Sequence, residues 1–367
     1  MVIHCPSCSS ENCFYDKTHL NIRYLRCFDC DFVFSELPGT SVISPGVGDE
    51  YTKKWKTFFR ALRTTKIGQR VVIDRALFPR REQSSDLEPH SPTLGYLSRV
   101  CHKHGFSDFK IDFESKHFSA KKIGSKNKSI SIVMPIFNEA ETCGRVIRSL
   151  LDAGNQFDNF ELIIVESNSS DGTKEIVSKF EDSALVKIVF QDEARGKGHA
   201  VRAGIAMAKN TYISIYDGDE EYNVQDFYQL INFAINSGDP FILGYRVAKN
   251  KINGVREFKN AKFIQHYMNF GHVIVRFFLN RICGYEMKDP FTMFKIFRRD
   301  MINMVELKSD RFDLDLEIVI KLIGLGVFPT ERPSEYLSRS HSEGKKVRLV
   351  RDPITWFNLL FKLSILK

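Results

Sequence analysis

The sequence predicts an α/β fold, because apolar strand-like runs alternate with helical patterns along the second two-thirds of the chain. The first run is Ser129–Ile136 (SISIVMPI), and three more follow at residues 161–165, 186–190 and 212–216. The first three runs lead into helical patterns, which predicts parallel pairing through right-handed crossovers. Such sheets bind ligands at the carboxyl ends of their strands. We therefore expect a mostly parallel sheet, with helices on both faces and one site at that edge.

A polar or small-residue cluster follows each of these runs. After the first come Phe137, Asn138 and Glu139, and the later clusters are residues 166–173 (ESNSSDGT), 194–199 (ARGKGH) and 217–222 (DGDEEY). The last cluster is the most informative, since Asp217 and Asp219 directly follow a strand. Carboxylate oxygens at this spacing suit Mg²⁺ or Mn²⁺ with positions left open for substrate phosphates. A solvated acidic turn is the alternative for the pair taken alone.

Lys197 stands between Gly196 and Gly198 at a predicted helix start. There it could supply a cation and backbone N–H groups to a phosphate. The alternative is a solvated lysine at an ordinary helix start. No Ser or Thr follows a G-x4-G-K pattern, so a Walker nucleotide loop is not predicted.

Eight segments of the chain occur in the order found in the family 2 glycosyltransferases with the GT-A fold, which the chain resembles over residues 129–346. They are VMPIFNE, IIVESNSSDGT, ARGKGHAVRAG, YDGDEEY, ILGYR, KDPFTMFKIFRR, RFDLDLEIVIK and YLSRSHSEGKK. The resemblance is strongest to the branch that includes polyprenyl- and dolichyl-phosphate sugar synthases. The chain departs from the family at Ser167, where a second acid often follows the first, and at Gly218, where Ala is common. The first departure bears on base or ribose recognition.

The resemblance implies inverting, metal-dependent transfer of a hexose from a nucleotide-sugar donor. The acceptor would belong to glycan, polysaccharide or lipid-linked sugar biosynthesis, with polyprenyl phosphate among the candidates. Asp217 and Asp219 would hold Mg or Mn between the diphosphate oxygens, which gives Asp219 a catalytic role. The residues implied for nucleotide-sugar binding are Pro135, Phe137, Glu139, Glu166, Lys197, Asp217, Gly218 and Arg246.

The acceptor side carries a second group of candidates. The implied acceptor-binding residues are Thr292, Lys295, Arg339, Lys345 and Lys346. A hydroxyl acceptor needs a general base, whereas a phosphate acceptor is already an anion. If a base exists, Asp289 is the leading choice, although it could instead cap or pair locally. Asp315 and Glu317 follow in a helix-like stretch from Phe312.

The N-terminal residues 1–40 predict a four-cysteine zinc ribbon. Its ligands would be Cys5, Cys8, Cys27 and Cys30, whose two C-x2-C pairs match a closed, structural zinc site. Disulfides are the alternative, but a chain with no export signal favours thiols that bind metal. About 40 residues bury little core, so the metal would supply folding energy. We expect a docking or stabilising module, since its basic residues are too sparse for nucleic acid.

Residues 41–128 are predicted to connect the ribbon to the catalytic domain, residues 129–367. Residues 51–77 and 93–104 read as helical, and residues 119–128 as the final linker. Residues 89–113 are similar to the last helix and strand of some methyltransferases. No Gly-rich cofactor loop precedes them, so we expect a remnant without activity.

Composition predicts a cytoplasmic enzyme. The 367 residues carry 53 Lys and Arg against 45 Asp and Glu, a net charge of +8 that favours anionic partners without indicating nucleic acid. No apolar run of about 18 residues and no signal peptide are recognisable. Basic residues precede the apolar residues 354–366, which suits either peripheral contact with the cytoplasmic membrane face or a terminal helix packed on the domain.

Two other functions stay open on the sequence. The chain could be an inactive nucleotide-sugar-binding scaffold, which the departure at Ser167 permits and the acids Asp217 and Asp219 disfavour. It could also be a zinc-ribbon adaptor for nucleic acid or a partner protein.

Overall fold

The structure is a computed structural model of two compact units, residues 1–125 and 126–367. In the first unit it describes residues 13–19, 22–27, 33–36, 70–74, 98, 101, 106–112 and 117–122. In the second it describes residues 128–247, 262–283, 285–336, 355–356 and 358–360.

The first unit contains two small antiparallel sheets. Strands β1 (Cys13–His19), β2 (Ile22–Cys27) and β3 (Val33–Glu36) pair in the order β1-β2-β3. Strands β4 (Arg70–Asp74), β5 (Phe106–Asp112) and β6 (His117–Lys122) pair in the order β4-β6-β5. Of the predicted zinc ligands, Cys27 ends β2, while Cys5, Cys8 and Cys30 lie outside the described residues. The zinc ribbon therefore stays a prediction.

Two predictions for the connector are wrong in part. The helix predicted over residues 51–77 is replaced at its end by β4, because the consecutive β-branched residues Val71, Val72 and Ile73 suit a strand. The linker predicted from residue 119 begins inside β6, which pairs with both β4 and β5. Ser98 and Cys101 are helical, as predicted for residues 93–104.

The second unit alternates strands and helices, which are here numbered in chain order. They are β7 (Ser129–Ile136), α1 (Cys143–Gly154), β8 (Asn159–Glu166), α2 (Thr173–Ser178), β9 (Val186–Phe190), α3 (Lys197–Met207), β10 (Tyr212–Ile215), α4 (Val224–Ser237), β11 (Phe241–Val247), α5 (Lys262–Cys283), β12 (Lys295–Arg298), α6 (Arg299–Ile302), α7 (Leu314–Gly324) and β13 (Thr330–Glu335). The four apolar runs of the sequence are β7, β8, β9 and β10.

The strands form one seven-stranded mixed sheet in the order β13-β11-β12-β10-β7-β8-β9. Strands β10, β7, β8 and β9 are parallel to one another, as are β11 and β13. Strand β12 runs antiparallel to both of its neighbours. The predicted mostly parallel α/β sheet is therefore confirmed, and this arrangement is GT-A-like.

The core is centred on β7, whose eight residues are all buried. A strand covered on both faces is mainly apolar, as in residues 132–136, and its two buried serines are hydrogen-bonded, Ser129 to Thr211 and Ser131 to Glu161. Helix α3 approaches β7 so closely that a Cβ added to Gly204 would overlap Val133. This packing fixes the start of α3, and with it Lys197, relative to the carboxyl ends of the central strands.

The described part of the C-terminal tail favours packing on the domain. Trp356 and Leu360 are buried there, whereas Asn358 is exposed. Among the described helices, none combines the length and apolar character required to cross a membrane.

Candidate active site

A cavity of about 500 Å³ opens where β7 and β10 end. Strand ends and the loops after them supply its walls, as expected for a parallel sheet. The predicted donor-side residues that line it are Pro135, Phe137, Glu139, Lys197, Asp217, Gly218, Asp219 and Arg246. The edge of the sheet chosen from the sequence is thus the edge that carries the cavity.

The loops after β7 and β8 hold each other in place. Asn138 and Asn168 both adopt left-handed backbone conformations, with φ of 50° and 56°, which Asn tolerates better than most residues. The N–H of Asn138 donates to Ser169 Oγ at 2.9 Å, and the N–H of Ser170 donates back to Asn138 Oδ1 at 2.9 Å. This reciprocal pair fixes the two loops that carry the cavity residues Phe137, Glu139 and Ser167.

Lys197 and Asp217 form an ion pair in the cavity. The Lys197 Nζ lies 2.7 Å from Asp217 Oδ1 and 2.8 Å from Oδ2. Burial opposes charge on the lysine, but Asp217, Asp315 and Asp219 outweigh it and hold the pKa of Lys197 above its usual value. The lysine is therefore a cation throughout the neutral pH range.

Asp217 and Asp219 provide the donor set for a divalent cation. Asp219 Oδ1 accepts a hydrogen bond from the N–H of Glu221 at 3.2 Å, which orients the carboxylate. Within the described residues, no group of three or more His, Cys, Asp or Glu side chains is arranged to hold a metal. Two carboxylates alone suit Mg²⁺ or Mn²⁺, which take their other ligands from water and substrate phosphates. The residues thus fit the predicted cation.

Two glycines join the start of α3 to the loop before α7. A Cβ at Gly198 would stand 2.6 Å from the carbonyl oxygen of Ser309, and one at Gly196 would overlap the carbonyl of Asp310. Gly196 also has φ of 115°, which strains any other residue. The N–H of His199 donates to the Asp310 oxygen at 3.1 Å. The Lys197 backbone and residues 309–311 are therefore in direct contact.

Asp289, the predicted general base, is buried and does not line the cavity. Its carboxylate is fully buried and accepts two hydrogen bonds from the Arg246 guanidinium, at 2.6 and 2.7 Å. Burial favours its neutral form, but Arg246 outweighs burial and holds the pKa of Asp289 well below its usual range. A base must reach the acceptor and bind its proton. In this structure Asp289 thus orients Arg246, which does line the cavity, and its role as general base stays a prediction.

Three other predicted contact residues are buried beneath the cavity. Glu166 accepts hydrogen bonds from the N–H groups of Asn168 and Ser169, so it shapes the loop after β8. Thr292 and Lys295 are fully buried, and Lys295 donates to the Thr292 carbonyl. None of the three lines the cavity, and their contact with substrate stays a prediction. Arg339, Lys345 and Lys346 lie outside the described residues and stay predictions.

The cavity also contains residues that the sequence did not single out for contact. They include Met293, Arg311, Phe312, Asp315, Tyr336 and Trp356. Asp315 is the most informative, since it lies 3.5 Å from Lys295 Nζ and lines the cavity. Burial raises the pKa of Asp315, although Lys295 and Lys197 oppose the shift. The sequence signal for Asp315 is its place in the segment RFDLDLEIVIK, where it is an acidic residue in the first turn of α7.

Known proteins resemble the second unit. The family model described as Glycosyl transferase family 2 matches residues 131–305. Glycosyltransferase AglJ of Haloferax volcanii is 25% identical over 61% of this chain and 68% of its own length. The dolichol-phosphate mannosyltransferase of Pyrococcus furiosus is 27% identical over 52% of each chain.

A solved structure resembles the chain more distantly. Glucosyl-3-phosphoglycerate synthase from Mycobacterium tuberculosis in complex with UDP is 15% identical, with a TM-score of 0.48 over 65% of this chain and 80% of that one. The family match covers the strands β7 to β12 that build the cavity. Residues 131–305 thus match the glycosyl transferase family 2 model, and the protein is a glycosyltransferase.

Proposed function

We propose that the protein transfers a hexose, with inversion, from a nucleotide-diphosphate sugar to polyprenyl phosphate, in a reaction that requires Mg²⁺ or Mn²⁺. The observation that carries this proposal is the group formed by Asp217, Asp219 and Lys197 at the carboxyl end of β10. In a common cavity, the two carboxylates suit the metal of a metal-bound diphosphate, and the lysine suits its phosphate oxygens. The same group disfavours an inactive scaffold.

Asp217 and Asp219 would hold the divalent cation, which supplies Lewis-acid stabilisation of the departing diphosphate. Lys197 now neutralises Asp217, and its raised pKa keeps it charged. When the diphosphate enters, Lys197 can exchange the Asp217 carboxylate for a phosphate oxygen with little movement. The lysine then adds positive charge where negative charge develops in the transition state.

The lipid acceptor is supported by two observations. The relative from Pyrococcus furiosus is named for transfer to dolichol phosphate, a lipid phosphate. In the cavity, Arg246 presents a permanent cation that Asp289 holds in place. A phosphate acceptor enters as an anion and needs no base, which agrees with the buried, paired state of Asp289. Such an acceptor would require the enzyme to work at the cytoplasmic membrane face.

A hydroxyl acceptor is the second candidate, and Asp315 is the observation that favours it. Asp315 lines the cavity, where a carboxylate can take the proton of a hydroxyl acceptor, and burial raises the pKa of its carboxyl. With such an acceptor, the rate would rise with pH as Asp315 ionises. With a phosphate acceptor, this rise of the rate with pH would be absent.

The test combines donor binding with acceptor choice. Thermal unfolding of the full chain is measured with UDP- and GDP-sugars, with and without Mn²⁺. We expect stabilisation by one nucleotide class, only when the metal is present. Transfer of labelled sugar to polyprenyl phosphate and to soluble glycans is then compared for wild type and Asp315→Asn. Metal-independent donor binding would refute the metal site, and transfer only to soluble glycans would refute the lipid acceptor.

A further inference from the structure

Helix α5 presents an apolar face to solvent. Phe270, Val273, Phe277 and Phe278 are 67%, 45%, 64% and 48% exposed. Their spacing of three, four and one residues places them along one side of the helix. These four residues are here called the α5 patch. Contiguous aromatic side chains are rarely left in water unless they mark an interaction site.

The charged residues of α5 itself have a single sign. Residues 262–283 contain Lys262, Arg276 and Arg281 but no Asp or Glu. Arg281 is exposed one turn after Phe277, so it continues the same stripe. Arg276 donates from Nη1 to the Lys288 carbonyl at 3.0 Å, which holds its cationic group beside the helix. A surface that binds the patch should therefore be apolar within and anionic at its border.

The opposite side of α5 packs on the segment that leads to the cavity. The ring of His272 lies 5.1 Å from that of Phe291, a cavity residue. Asn280 Oδ1 accepts a hydrogen bond from the N–H of Met287 at 3.1 Å. The patch is therefore connected through one helix to the wall of the active site.

We propose that the α5 patch, together with Arg276 and Arg281, docks the enzyme on a membrane surface that contains anionic lipids. The phenylalanine rings would enter the boundary between headgroups and acyl chains, and Arg276 and Arg281 would pair with lipid phosphates. This inference assigns the docking element to α5, whereas the sequence indicated the C-terminal tail. It deepens the proposed use of a lipid acceptor, and vesicle binding tests it without any substrate.

A second copy of the chain fits the patch less well. In a symmetric dimer the same patch meets itself, which would bring the positive charges of two α5 helices into one interface. Like charges at an interface oppose association. An acidic protein partner would pair with the arginines, but it would also need a complementary pocket for the three exposed phenylalanine rings. A membrane accommodates such rings without a pocket.

The experiment measures binding of the full chain to phosphatidylcholine vesicles with and without about 30 mol% phosphatidylglycerol. We expect binding to the anionic vesicles, and a loss of about tenfold or more in the Phe270→Ser/Phe277→Ser variant. Phe190→Ser is the matched control, since Phe190 is 37% exposed on the edge strand β9. It should bind as wild type does. Arg281→Gln should weaken binding to anionic vesicles alone, and it keeps the apolar patch intact if the double variant fails to fold.

Three results would overturn the proposal. The first is wild-type protein that does not bind anionic vesicles, and the second is unchanged binding by both the double variant and Arg281→Gln. The third is a wild-type dimer in sedimentation that the double variant loses, which would assign the patch to a second copy. Vesicle binding without transfer to polyprenyl phosphate would leave this inference standing and refute the proposed acceptor.

Discussion

Replacing Asp289 with Asn separates a structural role from a chemical one. The variant keeps the size of the side chain and removes the charge that faces Arg246. Both partners are buried, with side-chain exposures of 0% for Asp289 and 3% for Arg246. Removing one partner of a buried ion pair costs about 3–5 kcal/mol, because the other charge is left uncompensated. We therefore expect the free energy of unfolding to fall by about 3 kcal/mol.

The loss should be visible by urea denaturation. For a unit of this size, about 3 kcal/mol corresponds to a melting temperature lower by about 6–12 °C. The control is the double variant Arg246→Met/Asp289→Leu, which removes both charges. It should be more stable than Asp289→Asn alone, since no unpaired charge is buried.

The pH dependence follows from the depressed pKa of Asp289. A carboxylate with a folded-state pKa below its unfolded value, about 3.9, stabilises the fold above that value and loses this contribution as pH falls. The stability difference between wild type and Asp289→Asn should thus be constant from about pH 6 to 8 and shrink below about pH 4. A variant of unchanged stability that lost transfer would restore Asp289 as the general base.

Three further predictions concern the metals. Asp219→Ala should abolish transfer and Mn²⁺-dependent nucleotide binding at a near-unchanged melting temperature, whereas Glu220→Ala, which changes an exposed neighbour bonded to Arg145, should retain both; metal-independent wild-type activity would contradict this. Lys197→Gln should weaken binding of the nucleotide sugar by about tenfold or more, yet raise affinity for Mn²⁺ alone, because the competing cation is gone; calorimetry with metal in the absence of nucleotide decides it. Elemental analysis should find about one zinc per chain, lost on changing Cys27 and Cys30 to Ser, and a metal-free folded N-terminal unit would disprove the ribbon.

The sheet, and the edge that carries the cavity, were predictable because buried strands consist mainly of apolar residues. A strand covered on both faces is mainly apolar, so the run Ser129–Ile136 predicted β7 with its bounds. The polar residues that follow such runs mark the edge where the strands end. The weaker local signals failed, as at Arg70–Asp74, where pairing with β6 decides the conformation.

The direction of individual side chains was not predictable. Asp289 and Asp315 both stand in segments that resemble acceptor-side motifs, yet only Asp315 lines the cavity. Asp289 is turned away by Arg246, which is 43 positions distant in the chain. A motif locates a segment near a site, but the tertiary partner decides which of its side chains faces the ligand.

The glycine contacts at the start of α3 have a consequence for how such an enzyme can change its substrates. Gly196 and Gly198 seat the backbone of Lys197 against residues 309–311, next to the cavity residues Arg311 and Phe312. A new loop grafted before α7 would have to reproduce the same carbonyl positions or displace Lys197. Sequence changes in the segment around Lys197 and in the loop before α7 are therefore coupled through these contacts. Chimeras that exchange only one of the two segments should lose turnover, even when each parent enzyme is active.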